Sequence, residues 1–242
     1  MQPSPDYDIV QGFQIDGIDP LARALIPKPG TVKHLLVLMH GYGANADDLF
    51  PLAMQLAPAL PETALVSLDA PEEIPGGMFG GRQWFPLTRI DEDEVDHGAA
   101  HGRGYVTTAL EALRKRFDLH WSDMALFGFS QGCMMALEAS LRLPGDLAQV
   151  LGYSGALPAP ERAAGEASAR PPVLLVHGEE DAVVPFASMQ AAAEALAAIG
   201  VAVETFARPG LAHGIDGPGL EAALVKLRAA FGMDPEPANE PG

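Results

Sequence analysis

With 15 basic against 32 acidic residues, the 242-residue chain carries a formal charge of −17, and 48 % of it is apolar. This is the composition of a globular chain long enough for one large α/β domain. Its acidity argues against nucleic acid as a partner, because phosphate backbones are neutralised by clustered Lys and Arg.

In chain order, residues 35–39 form the first strongly apolar run, stopped by His40-Gly41. Leu49, Leu52 and Leu56 then step along a helix that begins at Asp47-Asp48, and a strand follows at 65–68. From about residue 71 to 97 the alternation lapses. The segment is Gly-rich, then acidic, carries Met78, Phe79, Trp84 and Phe85, and reads as a long loop of the functional or mobile kind. Val106, Leu110, Leu113 and Phe117 return to helical spacing. Strands are expected at 124–128, 150–153, 173–176 and 201–207, with a helix at 133–143 and another carrying Met189, Leu196 and Ile199 ahead of Gly200. Leu220, Leu224, Leu227 and Phe231 mark a final helix, with Pro218 near its start and Gly232 past its end. Short continuous apolar runs are strands buried on both faces of a parallel sheet. The chain therefore reads as α/β, a mostly parallel, doubly wound sheet with helices on both faces, in a single domain over residues 1–232. Residues 233–242 have the composition of a disordered tail. No apolar stretch approaches the roughly 18 residues of a membrane span, and residues 1–6 lack the basic and apolar regions of a secretory signal. The single cysteine forbids an internal disulfide and fits a cytoplasmic setting.

The sharpest local signal is Gly128-Phe129-Ser130-Gln131-Gly132, set between a strand-like run and a stretch of helix formers. That context is the one a nucleophile elbow requires, a turn so tight that it lifts the serine hydroxyl above the sheet. A serine hydroxyl needs a base, and the base an orienting carboxylate. The loop after residue 176 carries Asp181, with Glu179 and Glu180 as weaker alternatives, and His213 follows the last expected strand. Ser130, Asp181 and His213 thus fall in the order nucleophile, acid, base, each just past the carboxyl end of a strand, where doubly wound sheets place their sites. An oxyanion needs donors, and the Gly-rich loop His40 to Asn45 supplies the Tyr42 N–H, with the Gln131 N–H as the second. His40 and His177 stand at strand ends and read as partners of loop backbone. His97 and His101 lack a third ligand at helical spacing and read as solvated rather than as a metal pair, and Cys133 reads as an inert core residue.

These residues together resemble the carboxylesterases related to the phospholipase/acyl-protein thioesterases, within the α/β hydrolases. The resemblance runs from His40-Gly41-Tyr42-Gly43 to His213-Gly214 and includes Gly128-Phe129-Ser130-Gln131-Gly132 and His177-Gly178-x-x-Asp181-x-x-Val184-Pro185. It implies an α/β-hydrolase fold, a metal-free and cofactor-free serine esterase with Ser130, Asp181 and His213 as its triad, and Tyr42 and Gln131 as oxyanion donors. Gly80 to Phe85 is similar to the segment flanking the acyl pocket in that family, so Met78, Phe79, Trp84, Phe85, Leu157 and Val183 are expected to hold the acyl chain of a small-molecule ester. Tyr42 stands where many acyl-protein thioesterases carry Leu, which points away from long-chain substrates. The sequence is closer to the bacterial esterase branch, whose members are expected in the cytoplasm, some as homodimers. A thioesterase or lysophospholipase is the second reading, and a non-catalytic binding protein of the same fold the third.

Overall fold

The computed structural model describes residues 6–28, 30–76, 80–88 and 91–233. The elements run β1 (Tyr7–Ile15), β2 (Ile18–Pro27), β3 (His34–Met39), α1 (Ala46–Leu56), β4 (Thr63–Leu68), the short pair β5 (Glu72–Glu73) and β6 (Arg82–Gln83), and α2 (Glu92–Phe117). Then follow β7 (Met124–Phe129), α3 (Gln131–Ser140), β8 (Gln149–Tyr153), α4 (Pro160–Glu166), β9 (Val173–Gly178), α5 (Ala187–Ala198), β10 (Val203–Arg208) and α6 (Gly217–Ala230). The main sheet has eight strands in the order β1-β2-β4-β3-β7-β8-β9-β10. β2 pairs antiparallel with both β1 and β4, whereas the pairs from β4 to β10 are parallel.

The two sheet faces bury alternate residues of each strand, as the period of two requires. From β3, Leu35, Val37 and Met39 join the core beneath α2, α3 and α5, where Val106, Leu110, Met135 and Leu196 are buried. Leu36 and Leu38 join the opposite core, closed by Leu49 and Phe50 of α1 and Leu227 of α6. Each such Leu, fully removed from water, contributes roughly 1.5–3 kcal/mol before conformational entropy is counted.

Four elements differ from the sequence reading. β1 and β2 lie outside the expected strands because they carry no continuous apolar run: in β1 exposed Asp8, Ile9, Gln11 and Gln14 interrupt buried Tyr7, Phe13 and Ile15, and the register shifts between Gln11 and Ile15. α4 is seven residues long and buries only Ala163, too little for a periodic stripe. The largest correction concerns the expected loop at 71–97, whose acidic half is the start of α2. Asp91 caps that helix by accepting from Glu94 N at 2.9 Å, and Glu92, Asp93 and Glu94 occupy its first turn, where negative charge opposes the positive end of the helix dipole. Gly98 and Gly102 lower helix propensity, but packing requires them. A Cβ at Gly98 would stand 2.2 Å from Phe85 Cδ2, and one at Gly102 2.9 Å from the Trp84 carbonyl oxygen.

α2, α3 and α4 are joined by a buried carboxylate. Glu138 of α3 has no exposed surface and accepts from Arg103 of α2 at 3.1 Å, Arg142 at 2.9 Å and Arg162 of α4 at 2.7 Å. Removing one member of such a set leaves buried charge uncompensated. Glu138→Leu, although apolar, is therefore expected to lower the unfolding free energy by about 3 kcal/mol, measured by urea titration. A loss under 1 kcal/mol would show that the guanidinium groups find water instead.

Candidate active site

Parallel strands deliver their carboxyl ends to one rim, and the loops after β3, β7, β9 and β10 meet there. Ser130 sits between β7 and α3 with φ 55° and ψ −119°, a region that L residues occupy only where the surroundings enforce it. Two glycines make that turn possible. A Cβ at Gly128 would lie 2.4 Å from the Gly132 carbonyl oxygen, and one at Gly132 would lie 2.1 Å from that of Met39. The Ser130 N–H donates to Tyr153 O at 2.8 Å, tying the turn to β8.

His213, in the loop after β10, stands with Nε2 3.1 Å from Ser130 Oγ and Nδ1 2.8 Å from Asp181 Oδ2. The carboxylate accepts at Nδ1–H, which leaves Nε2 as an acceptor facing the serine hydroxyl. The ring of Phe129 packs against the imidazole at 4.9 Å between centroids. Asp181 Oδ1 accepts from the backbone N–H of Val183 at 2.8 Å and of Val184 at 2.9 Å. Burial opposes ionisation of Asp181, but the bonds from His213 and from these two N–H groups outweigh it and hold the carboxyl below its ordinary range. Glu179 and Glu180, the alternatives in the same loop, are exposed. The His213 loop is anchored by Asp216, which caps α6 through Gly219 N at 2.9 Å and pairs with Arg208 of β10 at 2.9 Å.

The Tyr42 and Gln131 N–H groups have no acceptor among the described residues. The Gln131 N–H belongs to the first turn of α3, where backbone donors lack intrahelical partners and the helix end is positive. The Tyr42 loop is held on both sides. Gly43 N donates to Arg82 O at 2.9 Å and Arg82 N to Ala44 O at 2.8 Å. His40 donates from Nδ1 to Gly41 O at 2.7 Å and accepts at Nε2 from Ala70 N at 3.1 Å. Burial lowers its pKa and so favours the neutral ring these bonds need. His177 likewise donates from Nε2 to Val184 O at 3.0 Å, and the same nitrogen lies 3.2 Å from Asp181 Oδ2.

A cavity of about 300 Å³ opens beside Ser130, lined by Tyr42, Leu87, Thr88, Met134, Val183, Val184, Gln131 and His213. Of the expected pocket residues, Val183 lines it, Leu157 lines an adjoining cavity of about 330 Å³, and Met78 and Phe79 lie outside the described residues. Trp84 and Phe85 are placed differently from expectation. They are 1 % and 0 % exposed, and they brace the site from below. The Gln131 side chain accepts from Trp84 N at 2.9 Å and donates to Phe85 O at 2.8 Å, while the Trp84 indole donates to His40 O at 2.7 Å. Sequence reasoning missed this brace, together with Leu87, Thr88 and Met134, because bonds between residues 44 to 47 apart leave no local signature. Elsewhere, His97 donates from Nδ1 to Asp93 O on α2, and among the described residues no group of three His, Cys, Asp or Glu side chains is placed to hold a metal ion. Cys133 is buried, and burial pushes its thiol up to about 12. A larger surface depression of about 820 Å³, lined by Ile15, Thr108 and Lys115, holds none of the residues around Ser130.

A mostly parallel sheet with a serine in a strained turn, a histidine and a carboxylate at its carboxyl rim is an α/β hydrolase fold, and the chain is a hydrolase of that class. It belongs to the phospholipase/carboxylesterase family, whose model matches residues 22–230. It is 33 % identical over 199 residues to the esterase YpfH of Escherichia coli (strain K12), covering 81 % of this chain and 82 % of that protein. The crystal structure of esterase PE8 is similar at a TM-score of 0.82 and 36 % identity, covering 86 % of this chain and 97 % of that one. An acyl-protein thioesterase 1 of Schizosaccharomyces pombe (strain 972 / ATCC 24843) is 40 % identical over 79 residues, 31 % of this chain and 35 % of that protein.

Hydrogen bonding from Arg208, aided by Gly219 N, holds the Asp216 carboxyl below its ordinary range. A depressed carboxyl stabilises the fold at pH values above the unfolded-state pKa of about 3.9 and stops doing so as pH falls through the lower folded value. Asp216→Asn is therefore expected to lower Tm at pH 7, with the difference from wild type closing below about pH 4. Scanning calorimetry between pH 7 and 3 checks this, and a difference independent of pH would contradict the assignment.

Proposed function

We propose that this chain is a serine carboxylesterase that hydrolyses small to medium acyl esters through an acyl-enzyme. The observation that carries the reading is the continuous path Ser130 Oγ, His213 Nε2, His213 Nδ1, Asp181 Oδ2, with steps of 3.1 and 2.8 Å on either side of the imidazole. Ser130 Oγ attacks the ester carbonyl as its proton passes to His213 Nε2, and the ionised Asp181 holds the ring and stabilises the imidazolium. The oxyanion of the tetrahedral intermediate is received by the N–H groups of Tyr42 and Gln131, each contributing roughly 2.7–4 kcal/mol of barrier lowering. His213 then gives its proton to the leaving alcohol. Water, deprotonated by the same nitrogen, attacks the acyl-serine and releases the acid.

The cavity beside Ser130 takes the acyl group. Its volume of about 300 Å³ lies at the small end for ligand pockets, and Tyr42, 44 % exposed, narrows its mouth. Both features support short esters over the acyl-protein thioesters that the name of the Schizosaccharomyces pombe relative would suggest. A cytoplasmic setting is supported by the lone buried cysteine, and no described helix is long and apolar enough to cross a membrane.

Ser130→Ala is expected to abolish turnover of p-nitrophenyl butyrate and labelling by a fluorophosphonate probe, with the far-ultraviolet circular dichroism unchanged. Retained turnover would overturn the nucleophile. In Asp181→Asn the imidazole loses its orienting acceptor, and kcat is expected to fall by roughly three to four orders of magnitude. A fall of less than tenfold would move the acid role to another carboxylate.

A further inference from the structure

The cavity at Ser130 has a neighbour. The second cavity, about 330 Å³, lies under α2, α4 and α5, with Val95, Leu157, Pro160 and Ala192 among its walls. Two residues, Met134 and Val184, line both spaces. They are the partition between them.

The two halves of that partition differ in freedom. Val184 is pinned, because its N–H donates to Asp181 Oδ1 at 2.9 Å and its carbonyl accepts from His177 Nε2 at 3.0 Å; its β-branched side chain is also stiff at χ1. Met134 is fixed only at its backbone, where its N–H donates to Ser130 O at 3.1 Å, one helical turn from the nucleophile. Its side chain, 3 % exposed, is an unbranched thioether with three rotatable bonds, the residue type that adapts most readily to irregular space. We infer that the Met134 side chain is the movable gate that sets acyl-chain length, confining short acyl groups to the Ser130 chamber and swinging aside for a longer aliphatic chain to enter the second. This inference rests on the reading of Ser130 as the nucleophile of an esterase.

The second chamber also specifies what kind of tail can enter. Its interior residues Val95, Leu157, Val184 and Ala192 are apolar and buried, and its other walls include the carboxylates of Asp91, Glu92 and Asp96. A linear, uncharged acyl chain gains burial there. A tail ending in a carboxylate meets like charge and loses water without a compensating partner.

The test compares kcat/KM for p-nitrophenyl octanoate with that for the butyrate, read as a ratio on the purified full chain. Met134→Ala merges the chambers and is expected to raise the octanoate-to-butyrate ratio by roughly tenfold, the size typical of hydrophobic pocket discrimination. Ser188→Phe, at a half-buried position of α5 on the second chamber, fills that space without touching Met134 and is expected to lower the ratio. Placed in the Met134→Ala background, it should return the ratio to the wild-type value. A ratio unchanged in Met134→Ala while the variant still turns over butyrate overturns the gate. A Ser188→Phe variant that leaves the ratio untouched overturns the route through the second chamber, whether or not Met134→Ala folds. A wild-type chain that hydrolyses neither ester sinks the esterase reading itself, a result distinct from either of the others.

Discussion

The carbonyl oxygens of Met39 and His40 press so closely on the α-carbon of Gly132 that any side chain there would collide with them, at 2.1 and 2.6 Å. This contact locks the start of α3 against the end of β3 and determines where the rest of the site can be. Next to the seated Gly132, the chain passes from β7 into α3 through a residue of positive φ, Ser130. The same contact brings the loop after β3 alongside the first turn of α3, so the Tyr42 and Gln131 N–H groups belong to one small region. A backbone strain of order 1–3 kcal/mol is held there by close packing, and the hydroxyl is presented at the positive end of a helix.

Around that turn, polar groups are arranged so that little can move. Asp181 is satisfied by two backbone donors and by His213, which is why it ionises easily despite its burial. His213 is held from its own side by the Asp216 and Arg208 pair at the base of its loop. The Gln131 side chain spends both its acceptor and its donor on the Trp84-Phe85 backbone, and the Trp84 indole completes the brace at His40. The wall of the cavity beside Ser130 is built differently, with the apolar side chains of Met134 and Val183 among its lining. Hydrogen-bonded groups surround the imidazole, and flexible or aliphatic side chains line the cavity beside it.

Much of this was legible locally. The strands β3, β4, β7, β8 and β9 announce themselves as continuous apolar runs because both their faces are buried. β1 and β2 do not, since β1 borders the sheet, shifts register between Gln11 and Ile15, and has exposed residues between its buried ones. The acidic start of α2 read as loop because Gly98 and Gly102 weaken helix propensity, and their purpose, room for Phe85 and the Trp84 carbonyl, exists only once the chain has folded. Trp84 and Phe85 illustrate the same limit. Aromatic residues in a Gly-rich segment near a site can line a pocket or support it from beneath, and composition does not distinguish the two.

By itself the sequence determined the turn geometry at Ser130 and the rim positions of Asp181 and His213, because glycine spacing and strand ends are short-range requirements of the backbone. It also determined the class of fold, through the period of its apolar runs. Only the tertiary structure decided that groups 83 and 32 residues apart would come within hydrogen-bond reach, because strand order is settled by packing over the whole sheet. It alone decided, too, that one methionine would stand between two chambers, since a cavity is a property of walls contributed by distant parts of the chain.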